Sequence, residues 1–188
     1  MNTTPIIRIL AASVRDGRKS DRVALYFQKL LKTRGIEAEI LDLKTYNFPI
    51  FSERLKFLKE PSASLLEFSE KIKTAEGIII VTPEYNGGYP ASLKNAVDVL
   101  YAEWQKKPVV ISTVSSGPFA GSQVLTSFLF SIWKIGALVV PVMFPVPEIE
   151  KSFNERGEPS DKEGTDKRGN KVLDELLYWV DAKKLKTQ

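Results

Sequence analysis

Three short stretches carry most of the residues in this chain that could grip a small polar ligand. They are Ser-Val-Arg-Asp-Gly-Arg-Lys-Ser over 13–20, Thr-Pro-Glu-Tyr-Asn-Gly-Gly-Tyr over 82–89, and Ser-Ser-Gly-Pro-Phe-Ala-Gly-Ser over 115–122. The first offers the hydroxyls of Ser13 and Ser20, the flexible backbone of Gly17 and the guanidinium groups of Arg15 and Arg18, just before a helix start. Free amides, the helix dipole and charge-assisted arginine bonds together favour a phosphate there. The same residues also suit an ordinary polar turn in which Ser20 or Asp21 caps the helix. In the second stretch Pro83 stiffens the entry, Gly87 and Gly88 permit close backbone approach, and Tyr85 and Tyr89 supply flat surfaces. Such a loop can present main-chain groups to the edge of a planar heterocycle. The competing reading is a strained turn whose tyrosines cover the core.

What is missing narrows the chemistry further. The 188-residue chain has neither cysteine nor histidine, so it has no disulfide frame, thiolate nucleophile, Ser-His-Asp triad or Cys/His zinc site. Redox or group-transfer chemistry would need an organic cofactor or an oxygen-ligated metal, with side chains positioning and polarising. We expect no metal site and no side chain acting as a catalytic acid or base. Neither G-x-G-x-x-G nor G-x-x-x-x-G-K-[ST] occurs; Gly121 is followed by Ser122 rather than lysine. The net charge of +4 is mild. Basic residues gather at Arg15, Arg18, Lys19 and Arg22, and again at Lys183, Lys184 and Lys186, where they complement a helix C-terminus. No recognition motif points to nucleic acid. No apolar stretch reaches the roughly twenty residues of a membrane span, and Met1 to Pro5 lacks the pattern of a signal peptide, so a cytoplasmic protein is expected.

The elements that must hold these loops are legible from periodicity. Ile6–Ala12, Glu37–Leu43, Gly77–Val81, Pro108–Val114 and Ala137–Met143 read as strands, most of them as apolar runs buried on both faces. Helical spacing is expected over Ser20–Arg34, closed by Gly35, and over Ser62–Ala75, with Ser62 as N-cap. It is also expected from Pro90 or Ala91 to Trp104 with Leu93, Val97, Leu100 and Tyr101 buried, over Gly121–Ile135, and over Val172–Lys186. Tyr46–Pro61 reads as a loop with a short helical piece, and Pro145–Asn170 as a surface connection. This alternation calls for one α/β domain over residues 1–188, a flavodoxin-like, doubly wound five-stranded parallel sheet with helices on both faces. Ligands of such sheets bind beyond the carboxyl ends of the strands, where all three polar stretches fall.

Pro-Glu-Tyr-Asn-Gly-Gly-Tyr-Pro-Ala-Ser-Leu-Lys-Asn-Ala-Val-Asp-Val-Leu over 83–100 resembles the signature of the NADPH-dependent FMN reductase family, flavodoxin-like reductases of quinones, chromate and azo dyes. Residues 12–20 resemble that family's G-S-x-R-x-x-[RS] phosphate loop, and the region from Phe153 to Lys184 its ending. The resemblance implies that Ser13, Arg15, Arg18 and Ser20 hold the phosphate of FMN. It implies that Pro83, Glu84, Tyr85 and Asn86 line the isoalloxazine, which Ser115, Ser116 and Gly117 approach from the fourth strand. Ala12 departs from the usual glycine before the serine, and Gln123 stands where many members carry arginine.

It further implies an NAD(P)H-dependent reductase in which N5 of FMN accepts hydride from NADPH or NADH and electrons pass to a small-molecule acceptor: a quinone, flavin, azo dye, nitro compound or metal oxyanion. A homodimer or homotetramer is implied as well. The alternatives are a non-catalytic flavodoxin-like electron carrier, which is usually acidic, and a flavin-dependent regulatory binding module. The apolar stretch Val124–Ile135, with Phe128, Phe130 and Trp133, is expected to be core or homodimer contact.

Overall fold

The computed structural model describes residues 4–185; Lys186 of the C-terminal basic cluster and Met1, Asn2 and Thr3 lie outside it. Five parallel strands, β1 (Ile7–Ala11), β2 (Glu39–Asp42), β3 (Gly77–Pro83), β4 (Pro108–Val114) and β5 (Leu138–Met143), form one sheet in the order β2-β1-β3-β4-β5. The strand order reverses between β1 and β3, so the carboxyl ends of these two strands frame the crevice in which such sheets bind ligands.

Alternation along the strands fills both faces of the sheet. Ile7, Ile9, Ile79 and Val81 point into a core shared with α1 (Asp21–Thr33) and the C-terminal helix Lys162–Leu185. Leu10, Ile78, Ile80 and Ile111 point the other way, against α3 (Ala63–Thr74), α4 (Ala91–Asp98) and α5 (Ser122–Lys134). Burial on both faces is why these strands read as continuous apolar runs. Ser62 caps α3 as expected, its hydroxyl accepting from the Leu65 amide at 3.2 Å.

Several expectations are corrected or narrowed. β3 continues beyond Val81 through Thr82 and Pro83, pairing with Thr113 and Val114. The helix expected to reach Trp104 ends at Asp98 and resumes as a separate 3-10 turn at Ala102–Trp104. Here the carbonyl of Val99 is taken by the Leu55 amide at 2.8 Å, and Tyr101 turns outward instead of joining the core. The short helix after β2, α2 (Leu43–Tyr46), starts at once on an Asp42 cap, while Leu55–Phe57 forms a 3-10 turn.

The stretch Pro145–Asn170 is no plain surface connection. It holds α6 (Ile149–Ser152), a bridge between Phe153 and Pro159, and the first turns of α7 (Lys162–Leu185). Val146, Ile149 and Phe153 bury themselves in the core beside α1. Lastly, α5 buries Val124, Phe128 and Ile132 only; Phe130 and Trp133 are 66% and 63% exposed, so core packing does not account for them.

Candidate functional site

The loop after β1 carries Ser13 to Ser20 to the N-terminus of α1. Ser13 is buried, and its hydroxyl meets the Tyr85 hydroxyl at 2.7 Å while accepting from the Arg15 amide at 3.3 Å. Arg18 lies beneath the loop with its side chain 14% exposed. Its Nη1 donates to the Ser13 carbonyl at 2.6 Å and to Asp42 Oδ1 at 2.6 Å, and Nη2 donates to Asp42 Oδ2 at 2.5 Å. The Asp42 carboxylate holds the guanidinium pKa above its ordinary value. Arg15, by contrast, forms no ion pair among the described residues and faces the cavity. Lys19 pairs with Glu150, and Lys44 meets Asp16 at 2.6 Å, holding that carboxyl below its usual range.

The capping alternative for this loop is not what the fold shows. Ser20 is helical and its side chain makes no cap bond, and Asp21 accepts only from the neighbouring Arg22 amide at 3.1 Å. The amides of Gly17, Lys19 and Ser20 find no acceptor among the described residues, leaving donors at a helix N-terminus.

The loop after β3 is a tight turn. Tyr85 and Gly88 exchange backbone hydrogen bonds at 2.8 and 3.0 Å, and both residues between them, Asn86 and Gly87, have positive φ (52° and 77°). Positive φ at both central positions is the type I′ pattern that Asn-Gly favours. A side chain at 87 would also meet the Gln123 carboxamide oxygen at 2.8 Å from its Cβ. Glu84 anchors the turn twice, by its amide to the Val114 carbonyl at 3.2 Å and by Oε2 accepting from the Gln123 amide at 3.2 Å, in the first turn of α5. The two tyrosines split the two readings of this loop. Tyr89 packs on Phe128 with ring centroids 4.9 Å apart and covers the core, whereas Tyr85 reaches Ser13 across the crevice.

The loop after β4 is tied to the segment that follows β5. Ser115 donates its amide to Val146 at 3.0 Å and accepts from the Ile149 amide at 3.1 Å, while the Gly117 carbonyl accepts from the Glu148 amide at 3.1 Å. These three loops enclose a cavity of about 360 Å³. Among the residues selected from sequence, Arg15, Arg18, Ser20, Pro83, Glu84, Tyr85, Ser115 and Ser116 line it. Ser13 lies just behind that wall, bonded to Tyr85, and Gly117 serves the loop backbone. Asn86 borders an adjoining hollow of about 670 Å³ that shares Arg15, Glu84 and Tyr85. Ile149 and Glu150 also line the first cavity, and Asp42 holds Arg18. Sequence reasoning missed all three. The end of β2 was the one available signal for Asp42; nothing in the Pro-rich stretch marks Ile149.

The donor set fits FMN. Open amides, the Ser20 hydroxyl and the Arg15 guanidinium, without an ion pair among the described residues, line the cavity from the β1 loop, as a phosphate requires. Pro83, Glu84 and Tyr85 of the β3 turn and Ser115 and Ser116 of the β4 loop also line it.

Residues 5–151 match the family described as NADPH-dependent FMN reductase. The chain is 28% identical to an NAD(P)H-dependent FMN reductase of Saccharomyces cerevisiae, over 76% of this chain and 85% of that protein. It is 32% identical to an NAD(P)H-dependent FMN reductase of a Nectria species over 74% of each, and 29% identical to an FMN-dependent NADPH-azoreductase of Staphylococcus aureus over 79% of this chain and 80% of that one. In fold it is similar to FerB, a flavoenzyme NAD(P)H:(acceptor) oxidoreductase from Paracoccus denitrificans, with a TM-score of 0.77 at 19% identity over 95% of this chain and 98% of that one.

Proposed function

Since the chain belongs to the NADPH-dependent FMN reductase family, an NAD(P)H-dependent enzyme class with FMN as cofactor, we propose that it reduces a quinone, flavin, azo dye, nitro compound or metal oxyanion in the cytoplasm. Residues 1–188 act as one FMN-binding domain. The observation that carries this reading is the cavity at the β1/β3 crevice, lined both by phosphate donors of the β1 loop and by the rigid turn after β3. FMN, when bound, would supply the hydride-transfer chemistry between nicotinamide and acceptor.

The chain's own residues bind and orient. Arg15, Ser20 and the amides at the start of α1 hold the phosphate, with Ser13 fixing the loop behind them. The Glu84–Gln123 bond and the type I′ turn fix Pro83, Tyr85 and Asn86, which would hold the ring together with Ser115, Ser116 and Gly117. No side chain has to deliver a proton, which suits a chain without histidine or cysteine.

Donor and acceptor would use one site in turn, so initial rates with NADPH and a benzoquinone should give parallel double-reciprocal lines. Intersecting lines would count against a shared site. The same reading includes a homodimer or homotetramer, with the exposed Phe130 and Trp133 of α5 as apolar contact. A monomer in sedimentation velocity at micromolar concentration would remove that part.

A further inference from the structure

We propose that Arg18 is a positioning residue, not a phosphate ligand, and that Asp42 is the residue through which it acts. The inference rests on the FMN reading of the site and changes the role of one of its arginines. Three of the five N–H groups of Arg18 are committed: Nη1 donates to the Ser13 carbonyl and Asp42 Oδ1 at 2.6 Å each, and Nη2 to Asp42 Oδ2 at 2.5 Å. Two-point pairing with a carboxylate fixes the plane of a guanidinium as well as its place. The nearest other carboxylate, Asp21, stands 3.8 Å from Nε.

Asp42 is itself held. It ends β2, in register with Ala11 of β1, and its Oδ1 accepts from the Lys44 amide at 3.0 Å to cap α2. The carboxylate is thus a fixed post of the sheet, and Arg18 is a strut from it to the Ser13 carbonyl. On the far side of the same residue, the Ser13 hydroxyl holds the Arg15 amide and the Tyr85 hydroxyl. One chain of contacts, Asp42–Arg18–Ser13–Tyr85, therefore sets the phosphate loop and the ring loop relative to each other. The charge of Arg18 is balanced by Asp42, which leaves Arg15 as the cation of the loop with no ion pair among the described residues.

The strut and the direct phosphate contact differ in what they do to riboflavin, which lacks the phosphate. Riboflavin and FMN dissociation constants should be measured for the wild type, Arg18→Ala, Asp42→Ala, the double variant and Arg18→Lys. If Arg18 acts as a strut, each single alanine variant weakens riboflavin about tenfold, the size expected for loss of a charged hydrogen bond, and the double variant is no worse than the weaker single one. Arg18→Lys keeps the charge but not the two-point geometry, so it should lose nearly as much as alanine.

Unchanged riboflavin binding with FMN weakened by Arg18→Ala and restored by Arg18→Lys would overturn the proposal. A second readout needs no flavin: amide exchange at Arg15 and Arg18, both hydrogen-bonded in the loop. Asp42→Ala should speed exchange at both by more than at the amides of α7, beyond the general loss of stability that comes with the α2 cap. Unchanged exchange would overturn the strut whether or not flavin binds, whereas a wild type that binds no flavin, yet shows faster exchange in Asp42→Ala, would retire the FMN reading and keep the strut.

Discussion

Arg15 and Arg18 are three residues apart in one loop, yet their surroundings separate them. Arg18 gives three of its five N–H donors to Asp42 and Ser13, while Arg15 faces the cavity with no carboxylate partner among the described residues. Replacing Arg15 by alanine should therefore weaken FMN by about 1.5–3 kcal/mol, the range for a hydrogen bond to a charged group, and leave riboflavin unaltered. Titration calorimetry with both flavins checks this; equal losses would show that Arg15 supports the loop instead of holding phosphate. The residue types of the loop were legible in the sequence because phosphate chemistry needs hydroxyls, glycine and arginine. The division of labour was not, since it depends on a carboxylate 24 positions away that the sheet brings beneath Arg18.

Lys107 is a second residue whose role only packing reveals. It is buried at the start of β4, where its ammonium donates to the Lys73 carbonyl at 2.8 Å and to the Ala75 carbonyl, closing the end of α3. Burial pushes its pKa down to about 8 from 10.5, with Lys183 adding to the effect. The unfolded chain then holds more protons than the native one between those values. The contribution of Lys107 to stability is therefore full above pH 10.5 and lost as pH falls through 8. Urea midpoints of the wild type should rise between pH 8 and 10 relative to Lys107→Met; parallel curves for the two proteins would refute the shift.

At the scale of elements, strands and most helices followed from periodicity, because a doubly covered parallel sheet writes itself as apolar runs. The failures came where a distant partner decides. The helix after β3 breaks because Leu55 takes the Val99 carbonyl, and no local residue in 91–104 announces it. The N-terminal half of α7 was read as connection because charge and two glycines mask its helical spacing. One of these, Gly169, is placed where α7 meets α1. A methyl group there would run into the Tyr26 hydroxyl and come within 2.7 Å of Leu30 Cδ2. Gly169→Ala should destabilise the fold by about 1–3 kcal/mol through overpacking, despite alanine's better helix propensity. Equal or greater stability by urea titration would show that α7 can shift away from α1.

For the whole molecule, the two covered faces and the single sheet leave one edge of the strands free to form a site. The polar loops gather at the carboxyl ends of β1, β3 and β4, where a reversal of strand order opens the crevice. That placement was legible in the sequence once the strand order was assumed. The contribution of Ile149 and Glu150 was not, because it depends on the segment after β5 crossing to the first helix through Lys19 and Arg22.

The central claim is that this crevice holds FMN as an open redox centre, and anaerobic titration of the FMN-reconstituted protein with NADPH, then NADH, tests it most directly. The flavin absorbance should bleach rapidly with at least one donor and return when a quinone is added. Tight FMN binding with no bleaching by either donor would contradict a reductase and leave an electron carrier or a flavin-dependent binding module in its place.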